Sequence, residues 1–231
     1  MKNKSTKLQQ TQLRLIDLTM PLNSTTPAYP GDPKIEIKQI ASLERQGWNE
    51  KRISMNTHCG THVDAPAHFL EKGKTLDALS LHKFLGEGVL IDVRRKPIDT
   101  ACLPKGNSKE KIVLFYTGQS EKSYENYYEG AKFVSEEVAH ELVRRKVKAI
   151  GIDAFSPDTE PYPIHKILLP ANILIIENLV NLKALLGKKF SMHYFPLNIT
   201  GGDGAPCRAV AIITKENKKT NHHANHNFKQ N

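Results

Sequence analysis

No stretch of this chain is apolar for long enough to cross a bilayer, so no membrane-spanning helix is expected. Cysteine is scarce. Cys59, Cys102 and Cys207 cannot make an even-numbered disulfide framework, and the expected setting is a reducing cytoplasm. The Lys-rich N-terminus has no apolar core behind it, so no signal peptide is expected. Internal repeats and interior linkers are absent. Nor do aromatic and basic residues alternate as they would in a base-stacking platform, although the formal net charge is +9. The charge gathers at the ends: Lys2, Lys4, Lys7 and Arg14 stand among residues 1–14 without an acid, and Lys215, Lys218, Lys219 and Lys229 face only Glu216 in residues 215–231. Such ends read as solvated tails, and neither nucleic acid nor membrane is an expected partner. The last segment has too few apolar residues to fold, and its His222, His223 and His226 would bind metal only weakly. Residues 15–214 are then left as one domain, long enough to bury a full core.

What is present is a dense run of metal-ligand side chains. His58-Cys59-Gly60-Thr61-His62-Val63-Asp64-Ala65-Pro66-Ala67-His68-Phe69 holds three histidines and an aspartate. His58 and His62 are four apart, as in the zincin helix, but that motif needs Glu where Cys59 stands, and Gly60 and Pro66 disfavour a helix. An extended strand fits better. Alternate residues then share a face, so His58, Gly60, His62 and Asp64 point one way, Gly60 leaves room between the imidazoles, and Cys59 turns away. Pro66 ends the pairing and lets His68 curl over the same pocket. Burying three imidazoles and a carboxylate without a cation is costly unless every polar atom finds a partner.

The surrounding pattern mixes strands and helices. Strands are expected at residues 15–18, 34–40 and 89–93, at Ile112–Tyr116 and at Ala149–Ile152, with a stiff turn through Pro27-Ala28-Tyr29-Pro30-Gly31-Asp32-Pro33. Residues 135–146 carry Val138, Leu142 and Val143 at helical spacing, with Ser135 as N-cap and Glu136 and Glu137 in the first turn. Farther along, Glu177 follows the buried-strand run Ile173-Leu174-Ile175-Ile176. His165 follows Pro161 and Pro163 in what reads as a stiff loop.

Together these runs resemble the cyclase-like family of metal hydrolases that includes bacterial kynurenine formamidases and isatin hydrolases. The pattern H-x-G-T-H-x-D-A-P-x-H-F is met without a break from His58 to Phe69. Also similar are Asp17-Leu18-Thr19, Tyr29-Pro30-Gly31-Asp32, Thr117-Gly118, Gly151-Ile152-Asp153, Glu177-Asn178-Leu179 and Gly202-Asp203-Gly204-Ala205-Pro206-Cys207-Arg208. The resemblance implies an α/β fold, a swivelling β/β/α domain with a mixed central sheet or barrel flanked by helices, assembled as a homo-oligomer. It implies two divalent metal ions, one held by His58, His62 and Asp64 and the other by Asp64, His165 and Glu177, with Asp64 bridging. A carboxylate has the two oxygens such a bridge needs. Zn²⁺ is the first expectation and Mn²⁺ the second, since mixed imidazole and carboxylate ligands suit both.

The implied activity is hydrolysis of an amide C–N bond in a small-molecule substrate, an aryl formamide like N-formylkynurenine or a cyclic amide like isatin. A bound cation lowers the pKa of water from 15.7 to about 7 and polarises the carbonyl. His68, not needed as a ligand, is the expected proton shuttle. Two other readings stand beside this one: a cyclase or lyase using the same metal pair, and a metal-binding protein without turnover. The substrate is less defined. Tyr29 adds a hydroxyl where relatives often carry another large aromatic, and Tyr116 stands where relatives often carry Arg. Trp48 and Phe155 read as stacking surface or as core, and Arg208 as a carboxylate partner or a turn cap.

Overall fold

The protein is described by a computed structural model that places residues 13–213. Residues 1–12 and 214–231, the tail histidines included, lie outside the described residues. Arg14, expected in the polar N-terminal segment, instead begins the first strand.

Among the described residues ten strands form in chain order: β1 (Arg14–Asp17), β2 (Glu36–Ala41), β3 (Glu50–Ser54), β4 (His62–Asp64), β5 (Leu85–Asp92), β6 (Ile112–Tyr116), β7 (Ala149–Ile152), β8 (Leu174–Glu177), β9 (Phe190–Pro196) and β10 (Gly204–Ile213). The helices are α1 (Leu43–Gln46), α2 (Glu136–Arg144) and α3 (Pro163–Leu168), joined by short 3₁₀ turns. Strands β10-β4-β8-β7-β6-β5-β9 lie side by side, and β9 pairs back onto β10, closing a mixed seven-stranded barrel. Neighbours among β5, β6, β7 and β8 are parallel and the other pairs antiparallel. β1 extends the sheet along β10. Of the expected architecture it is the mixed barrel that forms, with few helices. None of the described helices is long and apolar enough to cross a membrane.

Strand β6 shows why the chain folds this way. Its five residues are apolar without alternation because both faces are covered. Ile112, Leu114 and Tyr116 join an inner cluster with Val63, Ile176, Met192 and Tyr194, whereas Val113 and Phe115 join an outer one with Val138 and Leu142 of α2 and Ile164 and Leu168 of α3. The α2 start is as the sequence predicts: the Val138 N–H donates to Ser135 Oγ at 3.3 Å, with Glu136 and Glu137 in the first turn.

The strand expected at residues 34–40 forms as β2, but its pairing with β3 and strand β3 itself are not expected from the sequence. The two make a separate two-stranded ribbon, with Leu43, Trp48 and Ile53 of this region exposed. Strand β10, for which no strand is expected, runs through Gly204 and Pro206.

Candidate metal centre

The period-two alternation of the strands places the site. In β4, Val63 belongs to the inner cluster, so His62 and Asp64 point to the outer face. In β8, Ile176 points inward and Glu177 outward, and the antiparallel register sets His62 directly opposite Glu177. The site therefore lies between the outside of the barrel and α3, which brings His165 down over it.

His58 is not on the strand, contrary to the expectation from alternation. It sits in a turn, and Gly60, with φ of 59°, swings the chain into β4. A Cβ at Gly60 would strike Leu22 at 2.4 Å, so Gly60 does not serve to separate imidazoles. The glycine that makes room for His58 is Gly204, where a Cβ would stand 2.4 Å from the ring's Cε1. His165 is likewise not in a loop: Pro163 opens α3, where its fixed φ and missing N–H suit the first turn, and His165 lies within that helix.

The four residues around Asp64 converge. His58 Nδ1 is 2.7 Å and His62 Nε2 3.3 Å from Asp64 Oδ1, while His165 Nε2 is 3.6 Å from Oδ2. Glu177 offers Oε2 3.3 Å from His62 Nε2 and Oε1 3.5 Å from His165 Nε2. Among the described residues, ligand-capable atoms fall into three groups: His58, His62 and Asp64; Asp64, His165 and Glu177; and His58, His68 and Asp203. The first two are the sets expected from the sequence. Each imidazole is also held by its far nitrogen: His62 Nδ1 is 2.8 Å from the Gly60 carbonyl, His165 Nδ1 2.7 Å from Asp158 Oδ1, and His58 Nε2 2.9 Å from Asp203 Oδ2.

Residues 16–159 match the family described as "Putative cyclase". The chain belongs to that family. The match includes the His58–His68 run and ends before His165 and Glu177, which the geometry brings to it. Among relatives of this cyclase-family chain, the kynurenine formamidase of Salinibacter ruber is 31% identical over 86% of this chain and 97% of its own length. A predicted metal-dependent hydrolase from Bacillus stearothermophilus has a structure similar at a TM-score of 0.74, with 30% identity over 87% of this chain and 98% of that one. Isatin hydrolase A from Labrenzia aggregata, solved with benzyl benzoate, shares the fold at a TM-score of 0.77, with 23% identity over 88% of this chain and 94% of that one.

The cavity of the cyclase-family site measures about 440 Å³, within the range of small-molecule pockets. Its walls are aromatic. Tyr29, Phe69, Tyr128, Phe155 and Tyr162 line it together with the His and carboxylate groups. Phe155 is thus wall rather than core. Trp48 is neither, being 56% exposed on the β2–β3 ribbon. Tyr116 does not reach the pocket; its ring is buried in the inner cluster with the Arg94 guanidinium 4.5 Å above it. Arg208 is also elsewhere, its Nε 3.0 Å from Asp17 Oδ1. Cys59 is buried outside the pocket lining, and burial pushes its thiol pKa up, leaving an inert filler.

Charge in the site is strongly coupled. Burial opposes protonation of His62 and His165, but the carboxylates around them overrule it, raising His62 well above its ordinary value and His165 to about 12. His58 is raised in the same way, with burial opposed by Asp64. Burial would raise the Asp64 pKa, yet the three imidazoles facing it, His165, His58 and His62, hold it well below the usual range. His68 differs. Burial dominates there and lowers its pKa, favouring the neutral ring.

Asp158 and Asp203 are the residues the sequence did not single out for this site. Asp203 appears above only inside a resembling run, and a spacing of seven from Asp158 to His165 carries no recognisable signal. Only the fold brings them to the imidazoles.

Proposed function

We propose that this protein is a metal-dependent amidohydrolase that cleaves a small aryl formamide or a cyclic aromatic amide. The observation that carries the reading is Asp64 Oδ2: fully buried, among three imidazoles and Glu177, and without a hydrogen-bond partner. A native protein seldom leaves a buried carboxylate oxygen unpaired, and a cation satisfies it. The donor set fits. His58, His62 and Asp64 would hold one divalent ion and Asp64, His165 and Glu177 the other, with Zn²⁺ first and Mn²⁺ second in suitability. When bound, such ions activate water near neutral pH and polarise an amide carbonyl.

The chain's own residues supply the rest. His68 stacks on His58 with ring centroids 3.9 Å apart, and its Nδ1 lies 3.4 Å from Asp203 Oδ2. Nε2 is then the atom that takes a proton from water and returns it to the leaving nitrogen. The neutral ring favoured by burial is the form able to accept that proton. Phe69 packs against His165, with centroids 4.8 Å apart, and the aromatic walls offer faces to a flat aryl group. The relatives' names, kynurenine formamidase and isatin hydrolase, agree with a substrate of this shape.

The test is formate release from N-formylkynurenine by the metal-loaded protein, run beside isatin ring opening with Zn²⁺ and with Mn²⁺. Hydrolysis also incorporates solvent oxygen into a product, which a dehydrating cyclase does not do. Turnover of either compound that disappears in Asp64→Asn supports the reading; turnover that persists in Asp64→Asn overturns the assigned site. A homo-oligomer is part of the proposal, supported by the exposed Leu43, Trp48 and Ile53 about the ribbon, and light scattering tests it.

A further inference from the structure

Asp158 is no ligand in either group, yet its side chain is almost wholly buried and turns both oxygens to one short helix, with the Ser156 hydroxyl donating to Oδ1 at 3.5 Å besides. Oδ2 accepts the backbone N–H groups of Ile164 and His165, at 2.7 and 3.2 Å. Oδ1 lies 2.7 Å from His165 Nδ1. The same carboxylate therefore holds both the backbone and the ring of His165. Phe69 fixes the plane of that ring, stacked on it at an interplanar angle of 26°. What remains is the choice of nitrogen. A carboxylate can only accept, so a neutral ring in this position carries its proton on Nδ1 and has its lone pair on Nε2. Nε2 is the atom that reaches Asp64 and Glu177.

We propose that Asp158 is a positioning residue. It holds His165 in the one tautomer that can ligate through Nε2, and so sets the affinity of the Asp64–His165–Glu177 group for its cation. The inference rests on His165 being a ligand, as proposed above. Partners of this kind in other metal sites contribute about 10–100-fold to metal affinity. Asp158→Asn probes it sharply. The amide oxygen is the part that can accept from the two backbone N–H groups, which turns the amide nitrogen toward the ring. A donor then meets Nδ1, the proton moves to Nε2, and the ligating lone pair is lost.

The experiment titrates Zn²⁺ into the full-length wild type, Asp158→Asn and His165→Ala against a chromophoric chelator, with thermal melts of each metal-free protein. His222, His223 and His226 are common to all three, so their contribution cancels in the comparison. The expected result is that Asp158→Asn melts as wild type does but weakens by about 10–100-fold the same ion that His165→Ala abolishes. If His165→Ala loses that ion and Asp158→Asn binds it as wild type does, the positioning role is overturned and the metal centre stands. If His165→Ala keeps both ions at full affinity, the ligand assignment falls, and the inference with it. A second measurement needs no variant to fold. In zinc-loaded wild type, long-range ¹H–¹⁵N correlations of His165 are expected to show Nδ1 protonated and Nε2 ligated, and the reverse pattern overturns the proposal.

Discussion

His62 and Glu177 face one another across the antiparallel β4–β8 pair, with Nε2 3.3 Å from Oε2. They belong to different three-residue groups, and Asp64, one alternate position along β4, belongs to both. Two sets of ligands are thus tied to one cross-strand register.

The shared aspartate is the first thing to test. Asp64→Asn removes the charge and replaces one oxygen by a donor, so neither group retains its anionic centre. The expected outcome is loss of both ions, with hydrolysis falling to background. Elemental analysis of the purified variant measures the first and formate release the second.

His68→Ala should separate binding from turnover. It removes a group whose neighbours are His58 and Asp203 but which is outside both proposed ligand sets. Metal content is expected to stay as in wild type while kcat drops by about 10²–10⁴-fold. Near-normal turnover in this variant would show that the proton travels by another route.

Gly204→Ala places a methyl group where the His58 ring now lies, 2.4 Å from Cε1. Its effect should be confined to one ion. The His58 group is expected to lose its cation while the Asp64–His165–Glu177 group keeps its own, giving a metal-to-protein ratio lower by one by elemental analysis.

The Tyr29 and Tyr162 hydroxyls lie 3.4 Å apart at the pocket wall. Their mutual hydrogen bond, followed by burial, raises the Tyr29 pKa to about 12, so the phenol stays protonated. Two hydroxyls sharing one hydrogen bond leave one O–H for a ligand carbonyl. Tyr29→Phe is expected to raise KM about 3–10-fold for an aryl formamide with a second carbonyl, and to leave formanilide unchanged, since one neutral hydrogen bond is worth roughly 0.5–1.5 kcal/mol.

Away from the site, Asp17 and Arg208 pair across β1 and β10. Burial opposes ionisation of Asp17, but Arg208 and Thr19 outweigh it and lower its pKa below the ordinary 3.8. A depressed carboxylate stabilises the fold above its unfolded-state pKa and loses that contribution as pH falls through the folded-state value. The pair is exposed, so its contribution is small. Arg208→Ala should melt no more than about 2–4 °C below wild type at pH 7, with the gap closing toward pH 3 and hydrolysis unaffected.

Much of this was legible in the sequence, for uneven reasons. The His58–His68 run announces its chemistry because the side chains are neighbours in the chain. Strand β6 and helix α2 are legible because their apolar periods are local. His165 is different: Pro161 and Pro163 read as a loop, although proline at the first turn of a helix is well tolerated. The partners Asp158 and Asp203 were beyond reach, since each meets its imidazole through a closure of the chain that no short-range pattern encodes. Strand β10 was hidden by Gly204 and Pro206, and Gly204 is needed there for the approach of His58 rather than for a turn.

The inward Val63 between the outward His62 and Asp64 also says how this protein fails. A slip of one residue in β4 would turn the valine out to the cavity and drive an imidazole and a carboxylate into the barrel. A three-residue strand is too short to resist that alone, but β8 and β10 grip it from both sides. The register that buries Val63 is therefore the same one that presents His62 and Asp64 to the cavity.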